Sequence, residues 1–216
     1  FLAYGDFPQS EKEPESLFMP RGIIMNRSMS GVKPVDPQKI TEHVARSWYE
    51  GSADKQPYQG ETKPIQADPQ YDTKSDNGRY SWLKAPRYDG QPCEVGPLAR
   101  VLVAYGYGHK QIAPVVDKVV NTLGVNADAL FSTLGRTAAR GIETLVVGEA
   151  MQGWVMELVE NLKSGDTKTC APYEMPDKGQ GMGLNDVPRG ALGHWVVIEG
   201  KKIKNYQYVV PSTWNL

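Results

Sequence analysis

The two cysteines of this chain, Cys93 and Cys170, stand far apart, with no Cys-x-x-Cys pair and no histidine at ligand spacing beside either. They predict free thiols rather than a disulfide framework, and they exclude a self-sufficient zinc, haem or iron–sulfur site. GxGxxG, Walker and nucleophile-elbow patterns are missing too, so neither those nucleotide cradles nor serine-hydrolase chemistry is encoded. No apolar run approaches the roughly 20 residues that cross a bilayer, and the first residues are not a signal peptide. Neither charge sign dominates: the net charge is −1 with both signs interspersed, which argues against a nucleic-acid surface and a polybasic membrane contact. The chain lacks an initiator Met and stops at Trp214-Asn215-Leu216 without a tail, as expected of an internal piece of a longer polypeptide. If it takes part in catalysis, the reacting atoms come from elsewhere.

What is present is concentrated near the C-terminus. Val187-Pro188-Arg189-Gly190-Ala191-Leu192-Gly193-His194-Trp195 leads into a β-branched and aromatic run, turns at Glu-Gly-Lys-Lys, and returns through Ile203 to Val210. That pattern predicts a β-hairpin. A hairpin folds its ends together, so Pro188-Arg189 and Pro211-Ser212 face one spot. Arg189 brings a permanently charged fork of donors, and Ser212 a hydroxyl plus an N–H, a pair suited to small electron-rich acceptors. On spacing alone, an ordinary Arg189–Asp186 ion pair with Ser212 capping a turn is the more economical reading.

Earlier in the chain, prolines break short apolar runs over residues 1–35 into strands and loops. Asp36-Pro37 reads as an N-cap with proline at the first helical position, and Ile40, Val44 and Trp48 then predict a helix of about three turns. Glu42 and His43 fall on its solvated face. Residues 51–78 are polar, rich in Pro and Gly, and read as a long loop. Lys84 and Arg87 sit inside an aromatic run, where they snorkel or stack. Helices are predicted from Glu94 or Pro97 to Tyr105 and from Ala113 to Leu123, the second burying Val115, Val116, Val119 and Val120 and ending at Gly124. A third runs over residues 129–163, capped by Asn126 or Asp128, on the order of 50 Å long. Its stripe is Leu130, Leu134, Ala138, Ile142 and Leu145. Gly135, Gly141, Gly148 and Gly153 each cost about 1 kcal/mol there, which places it in the middle of a bundle. Residues 165–185 read as a glycine-rich loop. The expectation is a mainly α chain with small β elements (α+β): 1–35 strand and loop, 36–164 a long-helix bundle, 165–216 a loop and β-hairpin.

Four blocks then carry a resemblance: Trp82-x-Lys84-Ala-Pro-Arg87-Tyr, Glu94-Val-Gly-Pro-Leu-Ala-Arg100, Pro188-Arg189-Gly-Ala-Leu-Gly-His194-Trp and Pro211-Ser212-Thr-Trp-Asn215. In order and spacing they resemble the large subunit of the NiFe hydrogenases. The two Cys-x-x-Cys pairs that hold the metals in that family are not in this sequence, so the chain resembles the central to C-terminal part of such a subunit.

The resemblance implies part of an H2-oxidising enzyme whose buried centre is Ni-Fe(CO)(CN)2. It implies that Arg189 donates to one cyanide and Ser212 to the other, that Pro188 and Pro211 fix the corners, and that Leu192 and Val210 wall the CO. Arg189 is expected to act first by electrostatic positioning and second as a base. A Mg2+-type site is implied at the carbonyl of Tyr208, with Glu42, Lys84 and Gln207 around its waters. Expected partners are an iron–sulfur small subunit in a heterodimer, the remainder of the large subunit and H2, with no nucleic acid. The expected location is periplasmic or membrane-associated through the small subunit, with a cytoplasmic enzyme as the alternative. The isolated piece is expected to be inactive. Two rivals stand: the metal-free hydrogenase-like subunit of respiratory complex I, working at a quinone site, and a plain helical interaction module.

Overall fold

The computed structural model describes residues 1–10, 13, 15–65 and 78–216. The fold is α+β. Three small antiparallel pairs come first: β1 (Leu2–Ala3) with β4 (Gly22–Ile23), β2 (Asp6–Pro8) with β3 (Leu17–Met19), and β5 (Ile40–His43) with β6 (Ala85–Tyr88). Helices α1 (Pro97–Gly106), α2 (Ile112–Leu123) and α3 (Thr133–Lys163) follow. A three-stranded meander of β7 (Lys178–Val187), β8 (Gly190–Glu199) and β9 (Lys202–Val209) leads into the short helix α4 (Pro211–Asn215).

Helix α1 begins with proline at its first position, where the missing N–H costs nothing. Every residue from Leu98 to Ala104 is buried, as befits a helix at the centre of the molecule that is apolar but for Arg100. Against it pack α2, through Ile112, Val116 and Val120, and the first half of α3, through Gly135, Ala139, Ile142 and Val146. Gly124, in the left-handed region at φ +65°, ends α2 as expected. A second core, with Leu2, Tyr4, Ile40, Tyr88, Trp195, Val209 and Trp214, lies between the sheets and α4.

Several expectations are corrected. The stretch after Asp36 is no three-turn helix: Asp36 does cap, accepting from Gln38 N at 2.9 Å, but one 3-10 turn (Pro37–Lys39) gives way to β5. Apolar residues four apart satisfy a strand's period of two as well as a helix's 3.6, and pairing of Ile40–His43 with Ala85–Tyr88 decides between them. Glu42 thereby turns inward and is buried.

On α3 the apolar face is rotated from the predicted stripe, with Leu134 82 % and Leu145 49 % exposed. Small residues at 135 and 139 let the helix approach its neighbours, and a separation rule weighted towards large side chains misses them. The helix is capped by Ser132, whose hydroxyl accepts from Gly135 N at 3.1 Å, not by Asn126 or Asp128. Of its glycines only Gly135 is required, since a Cβ there would lie 1.9 Å from the Leu130 carbonyl. At Gly141, Gly148 and Gly153 a Cβ would meet nothing within 4 Å.

The glycine-rich tract before Pro188 is strand β7 rather than loop, in continuous register with β8. The hairpin is therefore the outer part of a meander. Its turn has Gly200 at φ +59° and Lys201 at φ +57°, the primed geometry that suits a strand's twist. Of the long loop at 51–78, residues 66–77 lie outside the described residues; the rest holds a 3-10 turn (Pro57–Gln59) and a bridge from Lys55 to Glu42.

Candidate functional site

Strand β8 starts directly after Arg189 and β9 ends just before Val210, with Gly193 paired to Val209. The meander thus delivers Pro188-Arg189 and Pro211-Ser212 to one end of the sheet. Both corners are fastened to the same segment, the start of α1. Asn215 bonds Val95 in both directions, accepting from its N–H at 3.0 Å and donating to its carbonyl at 3.1 Å. Gly96 and Gly190 meet face to face at φ +120° and +132°: a Cβ on Gly190 would lie 2.6 Å from Gly96 N, and one on Gly96 2.9 Å from the Arg189 carbonyl. Only glycine tolerates both the backbone angle and this approach.

The two corners open on a cleft of about 1460 Å³. Pro188, Arg189 and Ser212 line it together with Leu83, Arg87, Cys93, Leu98 and, from α3, Arg136 and Arg140. The Arg189 guanidinium and the Ser212 hydroxyl have no hydrogen-bond or ion-pair partner among the described residues. Ser212 is the second residue of α4, where a backbone N–H lacks an intrahelical acceptor. The ordinary Arg189–Asp186 pair does not form: Asp186 points inward and is engaged by Arg100 at 3.2 Å and by Gly5 N at 2.7 Å. Leu192, Val210 and Pro211 are not wall residues of the cleft. Pro211 is buried in the first turn of α4, and Leu192 and Val210 are half-buried. Arginines supply most of its charged side chains, and Glu94, the one carboxylate side chain among the described lining residues, is held by Arg136 at 2.7 and 2.8 Å. Burial pushes the Cys93 thiol up, so it stays protonated.

Glu42, Lys84 and Gln207 also come together, in a second cluster. Lys84 Nζ donates to Gln207 Oε1 and to Thr62 Oγ1, each at 2.8 Å, and stands 3.9 Å from Glu42 Oε2. Glu42 Oε2 is buried without a hydrogen-bond partner. Burial raises the Glu42 carboxyl and lowers the Lys84 ammonium, each opposed by the other's charge. Desolvation outweighs their attraction because they do not touch. Tyr208, next along β9, turns its 60 % exposed ring to the opposite face, beside His194 and Tyr206. Among the described residues no three His, Cys, Asp or Glu side chains form a metal-binding set.

The model of the nickel-dependent hydrogenases matches residues 1–216. The chain belongs to that family. It is 42 % identical to the uptake hydrogenase large subunit of Bradyrhizobium diazoefficiens, over 99 % of this chain and 39 % of that protein. To the hydrogenase-1 large chain of Escherichia coli it is 37 % identical, again over 99 % of this chain and 39 % of that one. Its fold matches the NiFeSe hydrogenase of Desulfomicrobium baculatum with a TM-score of 0.79 at 32 % identity, covering 99 % of this chain and 41 % of that one. This hydrogenase-family chain therefore spans about two fifths of the length of the relatives it matches. Those relatives are hydrogenase large subunits, so the metal-free complex I reading gains no support.

The residues that shape the hydrogenase cleft without carrying its donors escaped sequence reasoning. Arg100 was visible as a helical residue that closes a block motif, with no role given to it, yet it is buried and bonded to four residues. Asn215 and the facing Gly96 and Gly190 act through contacts between blocks far apart in the chain. The one signal available was that Gly96, Gly190, Arg100 and Asn215 each lie within a block motif, which by itself names no partner.

Proposed function

We propose that this chain is part of the catalytic large subunit of a NiFe hydrogenase and belongs to a larger large-subunit fold. In that reading the subunit interconverts H2 with protons and electrons, together with an iron–sulfur small subunit that carries the electrons onward. One observation carries the reading: Arg189 and Ser212, far apart in sequence, stand unpaired on one cleft. These residues fit a metal centre bearing cyanide and CO, because unpaired donors, exposed on an open cleft of this chain, match acceptor nitrogens. They do not supply its thiolates: Cys93 is buried and Cys170 exposed, each alone. The centre, when bound, supplies the site at which H2 is split. This chain's part is to donate hydrogen bonds from Arg189 and Ser212 and to hold a fixed positive charge over the site. We assign Arg189 to electrostatic positioning ahead of a role as base, since a guanidinium holds its proton tightly.

For the second cluster we propose a Mg2+-type site. The unpartnered Glu42 Oε2 and the adjoining Lys84 and Gln207 suit the waters such an ion keeps, with the Tyr208 carbonyl as a direct ligand. Among the described residues no helix is long and apolar enough to cross a membrane. For location we favour a periplasmic enzyme or one membrane-associated through the small subunit, with a cytoplasmic enzyme as the alternative.

The test uses the full-length large subunit assembled with its small subunit. Infrared bands of bound CO and cyanide are expected in the parent protein. Arg189→Lys is expected to shift a cyanide band and to lower H2 turnover by roughly 100-fold or more. Ser212→Ala is expected to shift the other with a smaller loss, because its N–H remains. Absence of the bands from the parent protein overturns the proposal.

A further inference from the structure

We infer that Arg100 is a positioning residue for Arg189: its buried guanidinium grips the backbone carbonyls of Val187 and Pro188 and so sets where the Arg189 side chain points. The inference rests on the reading that Arg189 faces the metal centre.

Arg100 is 3 % exposed. Its Nη1 donates to Asp186 Oδ1 at 3.2 Å and to the Val187 carbonyl at 2.9 Å. Nη2 donates to the Pro188 carbonyl at 3.2 Å and to Glu143 at 2.8 and 3.1 Å, and Nε to Glu143 Oε1 at 3.1 Å. An arginine serving only as a buried ion pair would be satisfied by its carboxylates. Here two acceptors are the carbonyls of the dipeptide immediately before Arg189, so the contact constrains backbone torsions at that corner. Proline already fixes φ at 188. On the far side Gly190 is wedged against Gly96, with no room for a Cβ. The corner is therefore held from before and after, and the freedom left to Arg189 is in its side chain.

The clamp is itself immobilised. Glu143 comes from α3, and the second oxygen of Asp186 is occupied by Gly5 N at 2.7 Å. Two distant parts of the chain, Glu143 and residues 186–188, thus meet on one guanidinium whose planar fork reaches both, while Gly5 holds Asp186 from its other oxygen. A lysine keeps the charge but is a compact ammonium without that fork. Arg100→Lys therefore separates geometry from charge.

The experiment compares Arg100→Lys with Arg189→Lys in the full-length, assembled enzyme, by infrared spectroscopy of the diatomic ligands, metal content and kinetics. Arg100→Lys is expected to retain metal, to shift a cyanide band in the direction that Arg189→Lys does, and to lower kcat by up to roughly 100-fold with little change in KM. If Arg189→Lys shifts the band while Arg100→Lys leaves band and kcat at their parent values, positioning is overturned and the reading of the site survives. If Arg189→Lys leaves the bands unmoved, the reading of the site falls and takes this inference with it. Should Arg100→Lys fail to assemble, Glu143→Gln keeps both carbonyl contacts while weakening the hold on the guanidinium. It is expected to give a smaller shift of the same sign, and an unshifted spectrum overturns the proposal.

Discussion

Asp186 is the residue at which burial and pairing oppose each other most clearly. Burial raises its carboxyl from 3.8 to about 6, although Arg100 and the N–H groups of Gly5 and Tyr4 pull the other way. A carboxyl raised in the folded state favours the protonated form. Its contribution to stability is therefore fully present below about 3.8 and is lost as pH rises through about 6. Asp186→Asn is expected to flatten the stability gradient across that window, measured by denaturant melts at a series of pH values; an unchanged gradient would assign it to other groups. At Glu42 the unpartnered oxygen makes a different prediction. Without metal, Glu42→Gln is expected to leave the melting temperature equal or higher, because a buried charge is removed. With millimolar Mg2+ the full-length parent is expected to gain stability that the variant does not. Equal gains in both proteins would remove Glu42 from the ion site.

At the scale of elements, the glycines separate positions that packing requires from positions it leaves open. Gly190→Ala sets a side chain at φ +132° against the backbone of Gly96, and it is expected to cost about 1–3 kcal/mol in thermal or denaturant unfolding. Gly135→Ala meets the Leu130 carbonyl and is expected to be more damaging still. Gly148→Ala in the same helix meets nothing and is expected to stabilise this chain by about 1 kcal/mol through helix propensity alone. A loss of stability at 148 would show that something covers that face. These contrasts were not legible in the sequence, where the four glycines of α3 looked alike and suggested close packing along its whole length. Conversely, the β8–β9 hairpin, α1 and α2 were legible, because periodicity, Pro97 and Gly124 act within a few residues of where they stand.

Across the whole molecule, burial is uneven. The first half of α3 packs against α1, but Met151, Val155, Met156, Leu158 and Leu162 on its second half are all more than half exposed. Amide protection in hydrogen exchange on this chain alone is expected to fall sharply beyond Trp154, which still packs on Phe7 and Phe18, since isolated helix ends open locally. Uniform protection to Lys163 would contradict that. The chain alone is also expected to show no H2 turnover, because its thiols form no metal-binding set among the described residues.

The local sequence by itself determined the hairpin, two of the helices with their stops, and the block motifs that mark the family. These depend on side-chain period and turn chemistry over a few residues. Tertiary structure alone decided that the stretch after Asp36 is a strand, that α3 turns its small residues inward, and that Asp186 answers Arg100 rather than its near neighbour Arg189. Each of those outcomes is set by a partner remote in the chain: Ala85–Tyr88 for the strand, α1 for the helix face, and Gly5 with Arg100 for the carboxylate. The site follows the same division, its donors readable from two motifs and its geometry made by contacts that no single stretch contains.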